Sequence, residues 1–232
     1  MIYKLFPALL LLVLSFSPAE KALNAPKTAI ATNTVEAQLE NVYSHLDAGS
    51  SALPQKASFF KALQGFYKLK AEGKVTKDIL TLVDFSMSSN SKRLWVIDLV
   101  TNKVLFNSLV AHGRNSGDEF ALNFSNKGES NMSSLGFFTT GEVYRGKHGM
   151  SLKLDGLQKG LNDHARSRAV VMHGADYVCD SFIKNHHRLG RSQGCPAIPQ
   201  ELVKDIIGTI KGKSCLFIYH PSGDSSFSKL FS

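Results

Sequence analysis

Two residues in this sequence have the type and setting for nucleophilic chemistry. His173 closes the apolar run "RAVVMHGA", and Cys195 follows in "HRLGRSQGCPAIP", where Gly, Ser, Gln, Arg and Pro leave little apolar sequence to bury a thiol. A cysteine becomes a competent nucleophile when a nearby base or positive charge favours its thiolate, and histidine is the usual partner. Gly194 lets the backbone turn sharply ahead of the cysteine, so that the amides of the turn can face a developing oxyanion. Arg191 and Ser192 add a cation and a hydroxyl, suited to a substrate carboxylate or to ordering the loop. The plainer alternative makes His173 a satisfied core histidine at a strand end.

A metal site has its own candidate ligands in the same segment: His173, Cys179, His186, His187 and Cys195. Their spacing contains no CxxC, HxxxH or HExxH pair, so no metal is expected, and His186 and His187 read as exposed loop histidines. Three cysteines leave at least one unpaired. Cys215 lies in "KSCLFIYH", a buried-strand pattern in which cysteine acts as a small hydrophobe. A Cys179–Cys215 disulfide stays open at this stage.

The elements that must position the pair are mostly strands. "DILTLVDFS", "KRLWVIDLV" and "KVLFNSLVAH" are short runs of branched and aromatic residues, the last two meeting in a hairpin at Thr101 and Asn102. Residues 113–154, rich in Gly, Ser and Asn, read as a long functional loop. After them come the His173 strand, the cysteine loop, a helix over "PQELVKDIIGTIK" and a last strand, "SCLFIYH". Two helices precede the strands. The first is expected to begin after Asn33 as N-cap, with Val35, Leu39, Val42 and Leu46 at helical spacing, and the second to fit "KASFFKALQGFYKLKAEGK", with Phe59, Leu63 and Phe66 on one face. The expected fold class is mainly β with a few helices (α+β).

The 232 residues, 43% of them hydrophobic, are enough for one substantial core. A net charge of +8 and a pI near 9.4 favour an acidic partner: nucleic acid, anionic lipid or an anionic wall polymer. The Lys and Arg residues are scattered and form no recognisable nucleic-acid module, so no nucleic-acid partner is expected. The opening "MIYKLFPALLLLVLSFSPAEKA" has a single Lys4 ahead of an apolar stretch from Leu5 to Phe16, then small residues at Ser17 and Ala19. It reads as a secretory signal cleaved after Ala19, its apolar run being shorter than the ~20 residues of a spanning helix. The division expected is a signal peptide over 1–19, a lead-in and helical region over 20–77, a catalytic domain over 78–221 and a tail over 222–232. The mature chain is expected in the periplasm or cell envelope, with membrane contact only through the cleaved signal.

"HGADYVCDSFIKNHHRLGRSQGCPAIP" resembles the active-site segment of the L,D-transpeptidase (YkuD-like) catalytic domain, in which a strand-end histidine precedes a Ser-x-Gly-Cys turn. With "VIDL", "VAHGRNSG", "FSN", "SSLGFFTTGEVYRGKHG", "LDGL" and "HGADY", the sequence is most similar to the murein L,D-transpeptidase catalytic domain branch, from about Asp84 to Tyr219.

The resemblance implies a YkuD-like fold with a short N-terminal helical cap, no cofactor, and peptidoglycan stem peptides as partners. It implies that Cys195 attacks the bond between an L-centred diamino acid and a terminal D-alanine, with His173 as acid and base and a thioester between the two half-reactions. A second stem's amine then gives a cross-link, and water gives only trimming. Ser192 and Gly194 match the family turn, and the amides around Gly194 and Cys195 are the expected oxyanion donors. The sequence departs from better-known members in having Gln193 where they have histidine, and Pro196-Ala197 where a polar Asn or Arg follows. Arg191, Arg114 and His112 are candidates to supply that polarity to substrate. The rival readings are an L,D-carboxypeptidase using the same site and a non-catalytic wall-binding module.

Overall fold

Residues 27–231 are described by a computed structural model; the expected signal peptide lies outside them. In chain order the elements are α1 (Lys27–Ser44), α2 (Lys56–Ala71), β1 (Ile79–Asp84), β2 (Leu94–Asp98), β3 (Lys103–Ser108), β4 (Gly136–Gly146), β5 (Gly149–Gly156), β6 (Val171–Ala175), α3 (Asp180–His186), β7 (Ala197–Pro199), α4 (Val203–Ile210), β8 (Cys215–Tyr219) and α5 (Asp224–Phe231). The chain divides at Glu36. Residues 27–36 are helical, and the unit that follows holds the sheet and the remaining elements.

The sheet has eight strands in the order β3-β2-β1-β8-β4-β5-β6-β7, with β1/β8 and β6/β7 parallel and every other pair antiparallel. This is the mainly β, α+β class expected. Its centre, β1 and β8, is covered on both faces, which is why "LTLV" and "CLFIY" are buried throughout and show no in–out alternation. One hydrophobic core joins Phe59, Leu63 and Phe66 of α2, Leu82 of β1, Phe137 of β4, Phe217 of β8, Ile207 of α4 and Phe227 of α5. Burial of a side chain of this size contributes on the order of 2 kcal/mol. Helix α2 approaches β4 so closely that a Cβ on Gly65 would lie 2.0 Å from the Phe137 ring.

Three elements differ from the sequence reading. Helix α1 is described from Lys27, so Asn33 lies within it and not at its N-cap position. The run 27–34 contains no Gly or Pro to stop a helix from extending backward. Residues 113–154 are loop only as far as Leu135; beyond it, β4 and β5 form a hairpin that turns through Lys147 and His148 between the paired Gly146 and Gly149. The first half of β4 is buried on both faces and its second half stands out from the sheet, and a bulge lies between Thr140 and Val143. Neither half therefore carries a clean period-2 signal. The residues after Ser222, read as a tail, contain α5, whose Phe227 is fully buried.

The 99–102 turn matches the expected hairpin: Asp98 Oδ1 accepts the Val100 amide at 2.9 Å, and Asn102 takes the left-handed φ of 52°.

Candidate active site

His173 sits on β6, between β5 and β7, with Ser151 and Ala197 as its register partners. It is 3% exposed. Its Nδ1 lies 2.8 Å from the Gly174 carbonyl oxygen, which only accepts, so Nδ1 carries the proton and Nε2 keeps a bare lone pair. This carbonyl is the group that orients the imidazole. Burial holds the His173 pKa below its ordinary 6.5; the Gly174 bond opposes this, and the charges of His148 and Lys147 add to it. Near pH 7 the ring is therefore a neutral base.

Cys195 lies two residues before Ala197, the β7 partner of His173. The turn that presents it needs Gly194, whose φ is +120° and where a Cβ would lie 2.7 Å from the Met132 carbonyl oxygen. Ser192 Oγ organises the turn, accepting the Gly194 amide at 3.0 Å and donating to the Cys195 carbonyl at 2.6 Å. The Gly194 amide, expected as an oxyanion donor, is thus engaged inside the turn. Ser192 is buried and acts on the backbone. The thiol itself is half-buried, accepts the Val171 amide at 3.4 Å and donates to the Ala169 carbonyl at 3.7 Å. Burial pushes its pKa up, and the Val171 amide and the charges of Arg168 and Lys147 pull against that rise. At rest Cys195 is a thiol, with the means to become a thiolate close by.

Both residues line one cavity of about 600 Å³, whose walls include Arg114, Lys147, His148, Arg168, Tyr177 and Arg191. An imidazole with a free Nε2 and a thiol under partial cationic influence open to the same cavity, and groups of these types can carry out nucleophilic acyl transfer. The sequence model of the L,D-transpeptidase catalytic domain matches residues 51–219, more than half of the chain.

The chain belongs to the L,D-transpeptidase catalytic domain family.

Solved structures that it resembles carry the same family name at low identity. An L,D-transpeptidase from Mycobacterium smegmatis is 11% identical over 62% of this chain and 59% of that one, with a TM-score of 0.38. One from Stackebrandtia nassauensis is 12% identical over 80% and 89%, with a TM-score of 0.37. One from Enterococcus faecium is 13% identical over 81% and 82%, with a TM-score of 0.37. The chain spans about three fifths of the length of the mycobacterial chains it matches. No curated relative matches the sequence significantly.

Of the expected polar residues, Arg114 and Arg191 reach the cavity of this transpeptidase domain. Arg191 is tied down: its Nη1 donates to Asp118 Oδ1 at 2.5 Å and to the Gly117 carbonyl at 3.2 Å. Arg114 is exposed, and among the described residues its guanidinium has no partner; its amide donates to the Ser192 carbonyl at 2.8 Å, fixing it beside the cysteine turn. His112 does not line the cavity, which corrects its expected role. It is 1% exposed, with Nδ1 accepting from Arg93 Nη2 at 2.8 Å and Nε2 donating to the Gly117 carbonyl at 3.2 Å. Burial and the Arg93 charge hold its pKa down at about 4, so it stays neutral and braces the loop that carries Arg114. Cys179 precedes α3 and His186 stacks on Phe182; neither lines the cavity. All three cysteines are free, so Cys179 and Cys215 are not paired.

Arg168 was not singled out by the sequence reading. It donates to the Ser125 and Met132 carbonyls, each at 2.8 Å, to Ser130 Oγ at 3.2 Å, and to Ser134 Oγ. The available signal was an arginine directly against the buried run "AVVMH". Tyr177 was also missed; burial and the Cys195 charge push its pKa up to about 12, so it stays a neutral donor.

Proposed function

We propose that the protein is an exported peptidoglycan L,D-transpeptidase that transfers the acyl group of a tetrapeptide stem through Cys195. The carrying observation is the neutral His173, its Nε2 free because Nδ1 is held by Gly174, on the same cavity as the Cys195 thiol. His173 takes the thiol proton. The thiolate adds to the carbonyl of the L-centred residue, the C–N bond to the terminal D-alanine breaks, and His173 returns the proton to the departing amine. A thioester remains on Cys195. The amine of a second stem attacks it, loses a proton to His173 and leaves as a new amide, with the thiol restored.

The main-chain amide of Cys195, which has no acceptor among the described residues, is the oxyanion donor of the turn, since that of Gly194 is held by Ser192. Arg114 supplies a cation for the carboxylates of the stem, and the basic sequence suits an anionic wall. Export rests on the signal-like residues 1–19; among the described residues no helix is long and apolar enough to cross a membrane.

The test is product analysis after incubation with a disaccharide tetrapeptide. A cross-linked dimer with release of D-alanine supports the transpeptidase. A trimmed monomer alone makes it an L,D-carboxypeptidase, and binding without either product leaves only a wall-binding module.

A further inference from the structure

The cations of the cavity are not equivalent. Arg191 is neutralised by Asp118, and the Arg168 guanidinium is occupied by carbonyl and hydroxyl acceptors. Arg114 stands at the Ser192 end, and its charge is not among those acting on Cys195 or His173. Lys147 differs from all three. It sits at the tip of the β4–β5 hairpin, is exposed, lines the cavity, and makes no ion pair among the described residues. The neighbouring His148 ring lies flat on that of His173, with centroids 4.3 Å apart, which brings the hairpin tip over the imidazole. The Lys147 charge acts on both His173 and Cys195.

The chemistry fixes what must lie beside His173. The imidazole protonates the departing nitrogen and therefore touches it. In a C-terminal amino acid the carboxyl carbon is one atom further on, about 2.5 Å from that nitrogen by standard bond lengths. If the stem continued for another residue, the same place would hold a neutral amide.

We propose that Lys147 reads the terminal carboxylate of the departing residue and so makes the enzyme select a stem that ends at the scissile residue over one that continues beyond it. This deepens the transpeptidase reading and rests on it. The bound carboxylate would also neutralise the cation that disfavours protonated His173, so the correct substrate itself would help turn the base into the acid that protonates the leaving amine.

The experiment compares kcat/KM for a tetrapeptide stem and for the same stem as its C-terminal carboxamide, using the wild type, Lys147→Gln and Lys147→Arg. Iodoacetamide labelling of Cys195 in each variant reports whether the site is intact. Wild type should prefer the acid by about 10-fold or more, the size expected for a charge-assisted contact in a water-accessible cleft. Lys147→Gln should reduce that preference to within about 2-fold of unity, and Lys147→Arg should retain most of it. If Lys147→Gln slows both substrates by the same factor, or keeps the preference, this assignment is wrong while the transpeptidase reading stands. If the wild type turns over neither substrate, both are overturned.

Discussion

Ser192 Oγ bridges two backbone groups of the cysteine turn, accepting the Gly194 amide and donating to the Cys195 carbonyl. One hydroxyl therefore holds the shape of the turn. Ser192→Ala should leave KM nearly unchanged and lower kcat by about 10- to 100-fold, as expected when a nucleophile loses its alignment. Steady-state kinetics on a tetrapeptide donor separates the two parameters.

Gly194→Ala should be worse. The left-handed φ and the Met132 carbonyl 2.7 Å from the new Cβ require the turn to move, and the thiol moves with it. The expected loss is about 100-fold or more in kcat/KM, with a lower Tm. A variant with wild-type activity would mean that the turn tolerates the displacement.

Arg168 is expected to tune the thiol and to pin the loop beneath it. Its charge lowers the Cys195 pKa against the rise caused by burial. Arg168→Met should shift the pH profile of iodoacetamide labelling at Cys195 to higher pH and slow labelling at neutral pH by about 3-fold or more. Cys179, half-buried, should label in every variant, and Cys215, fully buried, only after unfolding.

His112 makes stability depend on pH. Its folded pKa of about 4 lies below the ordinary 6.5, so between these values the unfolded chain holds a proton that the folded imidazole does not. Stability is thus full above pH 6.5 and falls as pH drops, by ~3 kcal/mol by about pH 4 from this group. His112→Asn should be less stable at neutral pH, because Arg93 Nη2 loses one of its two acceptors and keeps only the Val110 carbonyl, and should show a shallower decline with acid. Urea titrations at pH 7 and pH 4.5 measure both effects.

The strand-end histidine and the Gly-Cys turn were legible because each is a local pattern: an apolar run that stops at His173, and a glycine directly before Cys195. What local pattern cannot carry is where a loop's hydrogen bonds go. The Gly194 amide reads as free until Ser192 is seen to accept it. His112 misleads for a related reason. In "AHGRNSG" it has the company of an exposed polar loop, yet its partner Arg93 comes from "KRLWVID", where an arginine beside a lysine looks solvent-facing and is in fact fully buried. Lys147 and His148 escaped notice because β4 and β5 did. Glycines, threonines and a bulge hide the strand period, and without the hairpin nothing places its turn over His173.

The central claim is that Cys195 forms a covalent acyl-enzyme with the help of His173. Intact-protein mass spectrometry of the protein, quenched in acid soon after mixing with a tetrapeptide stem, tests it directly. Wild type should gain the mass of the stem less its terminal D-alanine, on a peptide containing Cys195. Cys195→Ala should gain nothing, and His173→Asn should gain it far more slowly. Release of D-alanine by Cys195→Ala, or an adduct that maps to Cys179, would contradict the account.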